Sequence, residues 1–433
     1  MSRGCGAQIC TPHDFHLRTM GSPMRLGKAA SFLTARRLRA HGLILALCLW
    51  SVYLWNMATP GLLDRAGNLK GTDFLHFYAL GSLSLAHRGA DLYNMQAQSV
   101  LAAERVPAAA GIRYLPLYPP QASIFFAPFA HLSYPCALIL WLTLSSLIYA
   151  FCVYALWRAC PSLRNHRLTV VILALALPAF WHLIAWGQTS ALALACFTLA
   201  FFALRAQREF LAGLALGCLI FKPQLGVAAA AIFVASRRWK VITGALLSAS
   251  AQLAAAWIYY GPDPLHTWIR LLWRIPSLLP LLEPKLYQTH CLRTFWTMLM
   301  PWPRLDLALY IVSALLTLAL AARCWQSRLS LPLRYSALLL ATVLVAPHLT
   351  VYDLVVLAPV FLLLSDWIVV QPGHANTPPL KLLLYLAFIL PLLGPLARWT
   401  HLQLSVPVML AILYLIFQLG RRSNVEERRF SAA

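Results

Sequence analysis

Asp73 and Lys222 are the residues whose chemistry is least at home where they stand. Asp73 lies just past the first of many apolar stretches, on the side away from the basic loops. A carboxylate there is a candidate general base working at a membrane surface. The structural alternative is a helix cap, with Thr72 or Asp73 as N-cap of a helix starting at Phe74. Lys222, in Lys222-Pro223-Gln224, interrupts an apolar hairpin whose halves are each about 13 residues long, too short to cross a hydrocarbon core untilted. An unpaired cation there is costly, so it calls for an anion; the alternative is a lysine that snorkels from a short helix end. Asp353 follows Pro347 in a turn between two apolar stretches and reads either as a partner for a Lys or His or as a plain loop acid. The outer acids are scattered, no Asp-x-Asp pair offers the oxygen cluster that divalent ions favour, and the cysteines lack the paired spacing of structural zinc. No metal site is expected.

The elements that must position these residues follow from composition. Of 433 residues 60% are hydrophobic and 11% charged, which places the chain among polytopic membrane proteins. The net charge of +22 does not imply nucleic acid, because Lys and Arg cluster between apolar segments and act as topology signals. Clusters at Arg36–Arg39, Arg158–Arg167, Arg205–Arg208, Arg237–Lys240, Arg323–Arg334 and Arg421–Arg422 thread to one side, while Asp64, Asp73, Asp91, Glu104, Asp263, Glu283, Asp306 and Asp353 fall on the other. The pattern predicts an all-α fold with about twelve crossings and both termini cytoplasmic. Residues 1–41 read as a basic, largely disordered tail, with Met20 or Met24 as alternative starts, residues 42–420 as the membrane domain, and 421–433 as a second cytoplasmic tail.

Two regions qualify that threading. Residues 118–157 read as one crossing preceded by a partial helix over Ala122–His131, and residues 209–236 as a broken hairpin with Lys222 near the outer face or in a wet cavity. Two long outer loops, 64–120 and 261–304, face one compartment, and a site belongs between them. The first contains Phe74–Ala86, too short to span and suited to lying at the interface. The second carries Trp268, Trp273, Trp296 and Trp302, fit for a headgroup belt.

The run Asp73-Phe74-Leu75-His76-Phe77-Tyr78, then Gly89-Ala90-Asp91-Leu92-Tyr93, Tyr118-Pro119-Pro120, Pro128 and Trp141 resembles the opening of the polyprenol-phosphate-mannose-dependent mannosyltransferases of glycosyltransferase family 87. Gly187-Gln188, Gly213 to Lys222-Pro223, and Pro347-His348 with Asp353 follow in order, so the resemblance spans roughly residues 42–420. Thr189-Ser190 depart from the pattern, since many relatives carry an Asn two positions after the Gln. The resemblance implies a fold of the GT-C type, with interfacial helices in the first outer loop and an active site at the extracytoplasmic face of a bacterial cytoplasmic membrane. It further implies transfer of a sugar, mannose or another hexose or pentose, from a polyprenyl-phosphate donor to an acceptor hydroxyl on a glycolipid or glycan.

For that chemistry Asp73 is the match to the catalytic acid, acting as base in an inverting displacement. Lys222 is the first candidate for the leaving phosphate, with Arg113, Lys285 and Arg293 as alternatives and His290 and His348 as hydrogen-bond donors. Gln188, Gln224, Tyr118 and Asp91 are candidates to hold the sugar. No cofactor is expected, since a lipid-phosphate donor requires no metal. The main rival class is a lipid-linked-sugar flippase or transporter, which predicts charges in mid-span and internal symmetry. A polytopic acyltransferase would need a membrane-embedded His, for which His182 is the candidate.

Overall fold

In the computed structural model, which describes residues 30–282 and 285–431, the apolar stretches are helical. Six segments are long and apolar enough to cross a membrane: Ala35–Met57, Tyr134–Arg158, Trp239–Tyr260, Pro303–Gln326, Val351–Val370 and Thr377–Thr400. A seventh forms if Pro161–Leu175 and Pro178–Trp186, bent by 44°, make one span. The bend falls at Pro178, which lacks the N–H a continuing helix would need. Shorter apolar helices cover Ser190–Arg205, Glu209–Phe221, Pro223–Ala235, Leu331–Val345 and Ser405–Arg421. Among the described residues there is no strand, only the isolated bridges Leu63 to Leu69 and Thr289 to Thr350. The chain is an all-helical, multi-pass membrane protein.

Burial separates the rim from the centre. Only 11% of the apolar window of Ala35–Met57 is buried, against 61% for Val351–Val370, so the first faces lipid and the second runs through the middle of the bundle. The Leu331–Val345 helix beside it is buried from Tyr335 to its end. Helix contacts here rest on close packing, because lipid is as apolar as the interior. Gly213 and Gly217 show how close: a Cβ at either would lie 2.1 Å from the carbonyl oxygen of Val241 or 2.3 Å from that of Ala245, on the Trp239–Tyr260 helix.

The two regions that qualify the threading, 118–157 and 209–236, resolve simply. A short helix at Gln121–Phe126 and a 3-10 turn at Ala127–His131 precede the single span Tyr134–Arg158. The hairpin breaks at Lys222, between the turns Cys218–Phe221 and Pro223–Leu225, because Pro223 interrupts the helical ladder. The first span starts at Ala35, ahead of Gly42, so Arg36, Arg37 and Arg39 sit on its opening turns. The last helix, Ser405–Ser431, continues through most of the expected second tail. Residues 1–29 of the expected first tail, and Glu283, lie outside the described residues.

One expectation needs correction. The segment read as interfacial forms the Thr72–Leu85 helix, but every residue from Phe74 to Ser84 is buried in protein. Most of its residues are large and apolar, and its few polar side chains, His76, Ser82 and Ser84 among them, are buried with them. Phe74 is ringed by Phe126, Phe129, Tyr134 and Trp141, at centroid distances of 5.9–6.5 Å. Such pairs contribute roughly 0.5–1.5 kcal/mol each beyond area burial, so the start of this helix is held firmly.

Candidate active site

Asp73 lies in the first turn of that helix, whose N-cap is Gly71 with no side-chain cap bond. Neither Thr72 nor Asp73 caps it, so the carboxylate is available for something else. Tyr134 Oη fixes the preceding turn by donating to the carbonyls of Lys70 and Gly71 at 2.8 and 3.0 Å, and Tyr114 Oη donates to the carbonyl of Thr72.

Gln188 meets Asp73 through a glycine. Gly187 ends the Pro178–Trp186 helix at φ +71°, and a Cβ there would lie 2.8 Å from the Cβ of Phe74. Only glycine combines that left-handed turn with that approach. Trp141 Nε1 locks the turn by donating to the Gly187 carbonyl at 2.9 Å. Gln188 Nε2 then donates to Asp73 Oδ2 at 2.6 Å. Asp73 Oδ1 has no hydrogen-bond partner among the described residues, and the side chain is half-buried. Burial pushes the Asp73 carboxyl up to about 6, against the opposing pull of the Gln188 hydrogen bond and the Lys222 charge.

The far end of Gln188 faces a buried ion pair. Lys222 Nζ donates to Asp353 Oδ1 at 2.7 Å and to Ser190 Oγ at 3.0 Å, and stands 3.5 Å from Gln188 Oε1. Ser190 Oγ donates to the same Asp353 oxygen at 2.5 Å. Lys222 and Asp353 are 4% and 2% exposed, so each is affordable only because the other is present. The Tyr352 ring centroid lies 5.0 Å from Nζ, adding a cation–π contact. Asp353 is itself the third residue of a 3-10 turn, Val351–Leu357, capped reciprocally by Thr350. Thr289 bridges to Thr350, and the His290 N–H donates to the Leu349 carbonyl at 3.1 Å, so the second long loop, 261–304, is tied to this turn.

Asp73, Gln188, Lys222, Ser190 and Asp353 thus form one connected chain at the breaks between helices. Tyr118 is a close neighbour. Its ring lies 5.6 Å from His76 and 4.8 Å from Phe77, burial pushes its phenol up, and the charges of Lys222, Asp353 and Asp73 all act on it. His348 is near enough to Asp353 for its charge to be felt. Gln224, two residues past Lys222, is half-buried.

Other candidates lie outside this chain. Asp91 is paired with Arg88 Nε at 2.8 Å, a partner three residues away, and takes no part in the hydrogen bonds of the site. Arg113 and Lys285 are exposed. His290 is buried against Ser405 Oγ at 2.8 Å, and burial pushes its imidazole down to about 3, which makes it a poor cation for phosphate. His182 places Nδ1 2.9 Å from the Pro178 carbonyl in its own helix and is not oriented by an acid. Tyr114 was not singled out in the sequence, and Ser190, two residues after Gln188, stood out only as part of the Thr189-Ser190 departure and not as a site residue. Among the described residues no three His, Cys, Asp or Glu side chains are grouped to hold a metal ion.

Residues 117–351 match the family model of glycosyltransferase family 87. That stretch contains Tyr118, Gln188, Lys222, Gln224, Lys285 and His348, and leaves Asp73, Asp91, Arg113 and Asp353 outside it. No curated protein and no solved structure matches the chain.

Proposed function

As a member of glycosyltransferase family 87, this chain is a membrane glycosyltransferase, and we propose that it transfers a sugar from a polyprenyl-phosphate donor to an acceptor hydroxyl, with inversion and with Asp73 as the general base. The observation that carries the reading is the state of Asp73: one oxygen held by Gln188, the other free, on a half-buried side chain raised to about 6. A base so held takes the acceptor proton through Oδ1 while Gln188 fixes its aim. The Lys222–Asp353 pair holds Gln188 from behind and lends net polarity to the site, where the leaving phosphate develops charge. Lys222, whose three N–H donors are taken by Gln188, Ser190 and Asp353, acts on the phosphate through its charge; His348 donates to the phosphate, exposed Arg113 and Lys285 steer the anionic donor, and Tyr118, Gln224 and Gln188 contact the sugar. A lipid-phosphate donor, unlike a nucleotide-diphosphate donor that brings its own magnesium, does not require a metal, so the reading includes metal independence and no other cofactor. The acceptor is a glycolipid or a glycan.

The fold type we favour is GT-C, in which the six long segments, the bent pair and the shorter apolar helices make about twelve crossings. The arrangement of charge supports an extracytoplasmic site in a bacterial inner membrane with both termini cytoplasmic. Ser190–Arg205 begins at the site and ends at a basic loop, and Arg158, Arg164 and Arg167 likewise lie away from Asp73 along their helices.

The test is transfer by purified protein in vesicles, supplied with a panel of polyprenyl-phosphate sugars and membrane extract, in chelating buffer across a pH series. Asp73 must be ionised to act as base, so kcat/KM is expected to be flat above the folded pKa of about 6 and to fall tenfold per pH unit below it. No transfer from any lipid-phosphate sugar, or an acid limb unmoved by Asp73→Glu, would overturn the reading.

A further inference from the structure

We propose that the end of the bundle opposite Asp73 holds one anionic phospholipid, its acyl chain in an apolar slot and its headgroup phosphate on Lys381. A cavity of about 450 Å³ opens between the helices Ala35–Met57, Arg167–Leu175, Ala358–Val370 and Thr377–Ile389. That volume falls in the range of ligand sites, roughly 300–1,000 Å³. Its deep wall is apolar, formed by Tyr149, Leu173, Leu177, Leu384 and Phe388. Its mouth is polar, formed by His166, Thr169, Thr377 and Lys381 near the starts of their helices.

Lys381 is the one Lys or Arg in the lining, and it has no ion-pair or hydrogen-bond partner among the described residues. Lys381 stands about one turn in from the start of its helix, where its stem lies along apolar surface and its ammonium reaches the mouth to meet an anion. Acids are scarce here: the nearby Asp366 carboxylate accepts from the Ser162 N–H at 2.9 Å and does not line the cavity. Exposed Arg164 and Arg167, flanking His166, add to the positive field of the mouth. A basic pocket between spanning helices suits an anionic headgroup.

The occupant is a resident phospholipid and not the sugar donor, because of where the mouth lies. Val351–Val370 has Asp353 at its start and cavity residue Val369 at its end. The paired segments Pro161–Leu175 and Pro178–Trp186 run from the mouth at His166 to Gly187 beside Asp73. A donor with its phosphate at the transferase site cannot also place that phosphate on Lys381.

Native mass spectrometry of the full chain tests this, after exchange into detergent from nanodiscs of phosphatidylglycerol or phosphatidylcholine. One phosphatidylglycerol is expected to stay bound per chain. Lys381→Gln should weaken its retention roughly fivefold, Lys381→Arg should keep it, and Val153→Trp, which fills the slot from a lining position, should abolish it. A melting temperature recorded for each variant separates loss of lipid from loss of fold. Equal retention of phosphatidylcholine, or retention undiminished in a folded Val153→Trp chain, would overturn the proposal. Preferential retention of added polyprenyl phosphate would overturn it too, by giving the slot to the donor.

Discussion

Asp73→Asn is expected to lower kcat by roughly 10² to 10⁴ while leaving the donor KM within a few fold of wild type. The amide keeps the volume of the carboxylate, so the buried helix from Phe74 onward has no reason to move. What disappears is the proton acceptor at Oδ1. The amide can turn its oxygen toward Gln188 Nε2, which preserves the fold and leaves an NH₂ where the acceptor hydroxyl should lose its proton. The split between kcat and KM is therefore the signature of the role. A matching rise in KM would make Asp73 a binding residue instead, and full turnover would remove it from the site.

Lys222→Ala is expected to be the most damaging single change to the fold. It strands Asp353, 2% exposed, with its charge unmatched, and breaking a buried pair in this way costs about 3–5 kcal/mol. The effect should appear as a large drop in melting temperature together with loss of transfer. The combined Lys222→Met and Asp353→Asn variant removes both charges at similar volume, and much of the stability should return. Transfer should not, because Gln188 Oε1 then has no cation behind it and its grip on Asp73 loosens. If the double variant regains both stability and activity, the pair is only structural. If Lys222→Ala alone melts like wild type, the pair is not what holds these helix breaks together.

Sequence and structure part company in instructive places. That Lys222 needs an anion was legible, since a lysine between two apolar halves stands out in a chain that is 11% charged. Asp353 was legible as a possible partner for a Lys or His, but its pairing with Lys222 was not, because the two are 131 residues apart and no local spacing rule links a hairpin break to a distant turn. Gln188 was legible as a polar residue in an apolar setting, yet its partners depend on the positive φ of Gly187, a feature of the backbone. Asp91 was legible as an acid on the same side of the chain, but its pairing with Arg88 three residues earlier was not drawn from the sequence. For the Thr72–Leu85 helix, length argued against a span and left the interface, but its many large apolar side chains, the ring around Phe74 above all, are packed inside the protein. The broken hairpin and the single crossing after residue 121 were readable, because proline and chain length act locally.

The anomeric configuration of the transferred sugar tests the central claim most directly, measured by one-bond carbon–hydrogen coupling in the isolated product and compared with that of the donor. A single displacement, with Asp73 taking the proton from the incoming hydroxyl, predicts the opposite configuration in the product. Retained configuration would mean two displacements through a covalent intermediate, and would contradict the role assigned to Asp73.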